Sequence, residues 1–250
     1  MITTGYPSYD GINSEIVDVE DSNFSCTNIE QFPEKFHAAT GGLLNGQKPF
    51  ICGGTANING WIYSNDCYYL TEAGSWAKDQ RATLTTGRAW AGYGSVVMNN
   101  TIVLTGGYVG SGRLKSIEIL SPNTTAQTLS VKLPTGISGH CQVHWDSETF
   151  LVIGGSDGSS REETYLVNVK TNQRTNGPSL NTARNGHACA ELHLNGKTFI
   201  IVTGGYNGAY LRSTEVLDKS NVGQGWLKGK NVKFFLNIWL FDDISLLLRR

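Results

Sequence analysis

Paired glycines return along this chain at Gly53-Gly54, Gly106-Gly107, Gly154-Gly155 and Gly204-Gly205, each pair following an apolar run. Their second members are 53, 48 and 50 residues apart, and Gly5 stands 49 residues before Gly54 in Thr4-Gly5-Tyr6, a match to Gly204-Gly205-Tyr206. A fixed period of this length marks a unit that cannot bury its apolar faces alone and must stack on copies of itself. The high glycine content and a charged fraction of 16% suit many short strands joined by tight turns.

Within each period the same features come in the same order. Continuous apolar runs such as Ile102-Val103-Leu104, Phe150 to Ile153 and Phe199 to Val202 precede the glycines, the pattern of strands covered on both faces. Each run follows a turn signal, Asn45-Gly46, Asn99-Asn100, Asp146-Ser147 or Asn195-Gly196, which predicts a tight hairpin ending at the glycine pair. His37, Trp90, His140 and His187 lie 14 to 17 residues ahead of the pair and are expected to open the first strand in one shared register. A third strand is marked by Glu15, Glu118 and Glu215, or by Tyr68-Tyr69 and Tyr165, and a fourth by Trp76 and Trp226 in two copies, with Leu129 and Thr175 in others. The paired glycines have a physical role here, because a residue without Cβ adopts positive φ and lets backbones crowd together.

This arrangement resembles the kelch repeat, over roughly Ile2 to Trp226. The resemblance implies an all-β fold, a kelch-type β-propeller of four-stranded antiparallel blades like the central domain of galactose oxidase, with loops at one rim that bind partners. About five blades are expected, the first incomplete, with repeats near 1–32, 33–85, 86–135, 136–182 and 183–229 and an atypical hydrophobic tail at 230–250. The tail strand Phe234 to Phe241 either completes the first blade or is a foreign ending on part of a larger propeller, and its poor alternation favours the second reading.

Charge and hydropathy narrow the function. A net charge of −1 offers no overall field for a phosphate backbone, so nucleic acid is not an implied partner. No apolar stretch approaches the about 20 residues of a spanning helix, and the N-terminus lacks the pattern of a secretory signal. The histidines at 37, 140 and 187 are expected to position strands, and no metal or other cofactor is predicted. No catalytic residue is proposed either: the tyrosine, histidine and cysteine set of a copper radical oxidase cannot be placed on these positions, and fold alone does not carry activity.

The expected function is therefore a non-catalytic protein-interaction module that binds a protein or peptide. Its candidate binding loops follow the glycine pairs, where Arg113, Arg161 and Arg212 recur at one position and Trp61 holds the equivalent place. Such a set suits an acidic or carboxylate-bearing partner; solvated turns, or arginines paired with nearby acids, are the plainer reading. Glu118 and Glu215 are expected to pair with Arg88 and Arg184 as architecture.

Cys52 ends a second strand and Cys67 lies on a third, which leaves both a disulfide and two thiols open, while Cys141 and Cys189 read as buried thiols. The sequons at Asn23, Asn99 and Asn123 add weight to an extracellular setting, with adhesion or carbohydrate binding as the alternative function.

Overall fold

The computed structural model describes residues 2–3, 15–17, 26–28, 30–34, 36–45, 48–57, 59–93 and 96–229. The tail at 230–250 and the sequon at Asn23 lie outside the described residues. The chain comprises two compact units, Met1–Ser138 and Gly139–Arg250.

In the first unit, β1 (Ile2–Thr3), β2 (Glu15–Val17) and β3 (Cys26–Asn28) form a three-stranded sheet, the incomplete first blade. A four-stranded blade follows, built from β4 (Thr40–Leu44), β5 (Lys48–Cys52), β8 (Asp66–Leu70) and β9 (Trp76–Thr83). Between its second and third strands a small ribbon projects, β6 (Thr55–Asn57) paired with β7 (Trp61–Tyr63). The next blade is β10 (Val97–Met98), β11 (Thr101–Thr105), β12 (Ile117–Leu120) and β13 (Gln127–Thr128).

The second unit holds two more blades of the same kind. One is β14 (Cys141–His144), β15 (Thr149–Ile153), β16 (Thr164–Asn168) and β17 (Gln173–Asn176). The other is β18 (Ala188–Leu194), β19 (Lys197–Thr203), β20 (Thr214–Asp218) and β21 (Leu227–Lys228). All strand pairs are antiparallel and, apart from β5 and β8, which flank the β6–β7 ribbon, join neighbours in chain order, so each four-stranded blade is a meander with its hairpin turns at one end and its glycine-pair loop at the other.

Within each unit, apolar side chains of one four-stranded blade meet those of the next. In the first unit Leu44, Phe50 and Leu84 pack with Ile102, Leu104 and Leu120. In the second, Val143, Leu151 and Ile153 pack with Ile200, Val202, Leu217 and Trp226. The Trp226 indole donates to the carbonyl of Pro178 at 2.8 Å, so the fourth-strand tryptophan is anchored by its polar edge as well as its area.

The glycine pairs are where successive blades are stitched. Gly54 donates its N–H to the carbonyl of Arg88 at 2.8 Å, Gly107 to that of Ile137 at 2.8 Å, and Gly155 to that of Arg184 at 2.9 Å. A Cβ on Gly53 would lie 2.6 Å from the Arg88 carbonyl oxygen, and one on Gly154 2.7 Å from that of Arg184. Their φ values of 74° and 59° are equally unsuited to other residues.

The stitching arginines also carry the buried ion pairs. Arg184 contacts Glu215 at 2.7 Å and donates to the Gly204 carbonyl at 2.7 Å and to Ser213 Oγ at 3.1 Å. Glu215 is completed by the N–H groups of Asn181 and Thr182. The set repeats in the β10–β13 blade, where Arg88 pairs with Glu118 and bonds Gly106 and Ser116, and Thr85 supplies the donors to the carboxylate. In the other two blades the acid's place opposite the second strand is taken by Tyr68 and Tyr165, and Phe36 and Ile137 stand where the arginines would be.

Two expectations need correction. The residues His37, Trp90, His140 and His187 do not share one register. Trp90 donates its N–H to Ala38, and Gly186 donates to Gly139; these four positions all have positive φ, 57° at Ala38, 53° at Trp90, 62° at Gly139 and 63° at Gly186. His37 therefore sits one step before Trp90, and His140 and His187 one step after, where the first unit has Ala39 and Ala91. The reason is visible at the second glycines: a Cβ on Gly107 would lie 3.1 Å from that of Ala91, and one on Gly205 2.9 Å from that of His187. The second correction concerns the thiols. Cys141 and Cys189 are joined as a disulfide between the first strands of consecutive blades, with Cα atoms 6.0 Å apart. Cys52 and Cys67, directly opposed on β5 and β8, form the other disulfide.

His140 and His187 are fully buried, and among the described residues their ring nitrogens lack well-formed hydrogen-bond partners, the backbone of Ile153 offering His187 a weak one. Burial pushes both imidazoles down to about 3, helped at His187 by the charge of Arg184. Since the folded value is lower than the unfolded one, the unfolded chain binds the extra protons, and stability falls as pH drops from 6.5 towards 3. At pH 5 the loss is about 2 kcal/mol per histidine. Urea midpoints at pH 7 and pH 5 are expected to show this loss in the parent protein and a much smaller one in His140→Ala/His187→Ala.

The ion pairs make a separate prediction. Glu215→Ala strands a buried guanidinium and is expected to cost about 3–5 kcal/mol in denaturant unfolding. Arg184→Ile combined with Glu215→Tyr, which copies Ile137 and Tyr165, is expected to cost less than either change alone.

Candidate interaction surface

Because the second strands ending at Gly54, Gly107 and Gly155 are tied by those glycines to the segment that leads into the next blade, the loop that follows starts from a fixed point and is free in sequence. In the first unit these loops assemble an aromatic strip. Trp61, on β7, meets His37 edge-to-face at a ring separation of 5.9 Å, and His37 meets Trp90 at 5.9 Å. Trp90 continues to Tyr108 at 6.3 Å, and Tyr108 to Tyr63 at 5.8 Å. Five rings from four loop segments and two blades thus form one chain of T-shaped contacts, a geometry favoured by the ring quadrupoles.

Several local features hold the strip in place. The β6–β7 ribbon is fixed by Thr55, whose hydroxyl donates to the Ile62 carbonyl at 2.7 Å. Tyr108 donates its hydroxyl to the Gly110 carbonyl at 3.0 Å, and a Cβ on Gly110 would press on the Tyr63 ring at 3.0 Å. Burial lowers the His37 imidazole, so a neutral ring lies between the two indoles at pH 7. Burial likewise raises the Tyr63 hydroxyl, with the neighbouring Tyr108 adding to the effect.

The strip is open to solvent at its Trp61 end, where Trp61 is 51% exposed and Ile62 43%, and Tyr93 on the 88–93 loop is 52% exposed. Arg113 lies over the Tyr108 ring, 5.8 Å from its centre, and so brings a cation to the ring that joins Trp90 to Tyr63. Between Gly106 and Ser116 the chain carries Arg113 and Lys115 and no acid, and between Gly53 and Asn65 it carries no charge at all.

The loops of the second unit are of another kind. Arg161 is gripped by Glu163 and by Asp157, the latter at 3.3 Å, and these acids raise its pKa although burial opposes them. Its charge is thus engaged by acids of its own loop, a setting different from that of Arg113 over the Tyr108 ring. Arg212 is exposed and follows Tyr210 by two residues in the chain, and the Tyr206 and Tyr210 rings are 5.5 Å apart. Of the predicted loop residues, then, Trp61 and Arg113 fall on the strip, Arg161 is paired with acids of its own loop, and Arg212 is an exposed residue of another loop.

Tyr63, Trp90 and Tyr108 were not singled out as site residues, and their common signal is faint: each lies within ten residues of a glycine pair or of the residue tied to one, but in a different repeat position. Among the described residues no three His, Cys, Asp or Glu side chains converge as metal ligands.

Comparison with known proteins agrees with this architecture. The kelch motif model matches residues 89–128, which run from the residue before Trp90 to the end of β13. Spermatocyte protein spe-26 of Caenorhabditis elegans is 35% identical over 77 residues, 31% of this chain and 13% of that protein. The chain therefore spans only a small part of that relative's length. Among solved structures, that of YjhT, a kelch-type propeller, superposes with a TM-score of 0.74 at 15% identity, covering 88% of this chain and 78% of that one. At that identity the likeness speaks for the fold.

Proposed function

We propose, taking as premise that this chain is a kelch-repeat β-propeller, that it is a non-catalytic binding platform whose aromatic strip captures an acidic segment of a partner protein. Kelch repeats generally mediate protein–protein interaction, and the observation that carries the finer reading is the continuous path Trp61–His37–Trp90–Tyr108–Tyr63 with Arg113 over its Tyr108 ring. Tryptophan, tyrosine and arginine are the side chains that dominate interface energetics, because they bring large area, few rotatable bonds and directional donors. The two cations without acids on the 106–116 loop favour carboxylates over basic segments. The second unit's 154–163 loop, with three acids against one arginine, has the opposite balance and is the internal control for that preference.

Trp90 adds a functional argument. It holds a left-handed backbone, φ 53°, at a position where the second unit has Gly139 and Gly186. A bulky residue there costs roughly 1–2 kcal/mol of backbone strain, and strain kept at the middle of a surface strip points to use of the ring rather than to folding.

A displayed peptide library graded in net charge and aromatic content tests the reading. The parent protein is expected to enrich acidic peptides, and Trp61→Ala, Trp90→Gly and Arg113→Ala each to weaken the enriched peptides at least tenfold, with Trp90→Gly leaving thermal stability near the parent value. Arg161→Ala is expected to leave binding unchanged. Enrichment indifferent to peptide charge, or retained by both tryptophan variants, would overturn the proposal. No copper-dependent oxidation of alcohols is expected from the purified chain.

A further inference from the structure

The antiparallel meander gives every blade two ends, and the two described sequons fall on only one of them. Asn99 is in the turn between β10 and β11, and Asn123 in the turn between β12 and β13. The glycine-pair loop of the same blade joins β11 to β12 and so opens at the opposite end. The neighbouring β4–β9 blade has the same polarity. The backbone N–H of Asn45, in its first hairpin turn, donates to Asn100 Oδ1 at 2.7 Å, while at the other end Gly54 bonds Arg88 and His37 meets Trp90.

We propose that Asn99 and Asn123 are N-glycan acceptors that dress the hairpin-turn end of the first unit and leave its glycine-pair end bare. In Asn99-Asn100-Thr101 and Asn123-Thr124-Thr125 the acceptor asparagines are exposed, and neither lies within a strand. Their φ values of 50° and 59° place them at the tips of tight turns, where asparagine is tolerated in the left-handed region and its side chain has room to extend. Ordinary turns would explain asparagine at these tips but not a threonine two residues later in both.

A second observation comes from the cysteines. Four of the chain's five are paired in two disulfides, and the sulfurs of Cys52, Cys67 and Cys141 belong to fully buried residues. Bridges of this kind form and persist in oxidising compartments, which are also where sequons are glycosylated. In the transfer itself, the asparagine amide nitrogen attacks the anomeric carbon of an oligosaccharide carried on a lipid diphosphate. The carbon–nitrogen bond forms as the carbon–oxygen bond to the diphosphate breaks; the diphosphate leaves as the anion, and one amide proton passes to the transferase.

The placement matters for binding because a glycan is a mobile hydrated mass that screens the surface around it. On the hairpin-turn end it would shield exposed turn backbone without reaching Trp61 or Arg113. This consequence builds on the interaction reading above; the assignment of the two acceptors does not.

The test uses the full chain directed through the secretory pathway of a eukaryotic cell, in an Asn23→Gln background so that the remaining sequon does not contribute. Peptide mapping is expected to find glycan on Asn99 and Asn123, a stepwise mobility change in Asn99→Gln, Asn123→Gln and the double variant, and both disulfides closed. Hydroxyl-radical footprinting before and after enzymatic deglycosylation is expected to leave Trp61 and Tyr93 labelling unchanged while the turns at Asn45 and Asn99 gain label. Secreted protein with both disulfides formed and neither asparagine modified would overturn the assignment. Increased Trp61 labelling after deglycosylation would overturn the separation of the two ends, and neither result depends on whether the strip binds acidic peptides.

Discussion

A single residue type ties this fold together at its most crowded point. The main-chain carbonyl of Arg88 accepts from Gly54 of one blade, while its guanidinium binds Gly106, Ser116 and Glu118 of the next. Arg184 does the same between Gly155 and the set of Gly204, Ser213 and Glu215. A charge buried this deeply is tolerable only because every donor and acceptor around it is used, and the carboxylates are closed off by Thr85, Asn181 and Thr182 from the connecting loops. At Gly53 and Gly154 the glycine is then a consequence of the arginine carbonyl's approach. A side chain at Gly53 or Gly154 would occupy the oxygen's own place.

Fixing the loops at their roots frees their tips, and the two units have used that freedom differently. The first spends its tips on aromatic rings and on two cations, Arg113 and Lys115, in a loop whose own sequence holds no acid. The second closes its 156–163 loop on itself through Asp157, Arg161 and Glu163. The same contrast runs inward. Where the first unit has Ala39 and Ala91 packed near its glycine pairs, the second has His140 and His187, which fill more volume but bring ring nitrogens that must stay neutral to remain buried. Volume is gained there at the expense of acid tolerance.

What the sequence made legible were features whose cause is local or repeats in every copy. The glycine pairs, the asparagine or aspartate turns seven to nine residues ahead of them, the buried second strands and the Arg88–Glu118 and Arg184–Glu215 pairs all follow from one repeat read against the next. The opposition of Cys52 and Cys67 followed from a single hairpin. Features set by contact between repeats were harder to see. The Cys141–Cys189 bridge joins first strands 48 residues apart, and its partners look like two independent buried thiols until adjacent blades are placed side by side. The histidine register slipped by a step in each direction because similar distances to the glycines hid hairpins of different length. Arg161 matched Arg113 and Arg212 in spacing, but its neighbours Asp157 and Glu163 decide its state, and spacing carries no information about them.

Trp90 shows how a repeat can be bent to a local purpose. Its backbone position is one that the fold imposes on every complete blade, a left-handed residue whose N–H or carbonyl links neighbouring first strands. Glycine meets that demand without strain at 139 and 186, and alanine at 38 carries a small side chain there. Tryptophan is the worst steric choice of the four residues found, yet it is the one whose ring lies between His37 and Tyr108 and makes two separate aromatic groups continuous. Packing alone gives no reason to prefer it, since the half-exposed strip buries less than the core would. The strain is intelligible if the strip's continuity, and not the stability of its blade, is what the position serves.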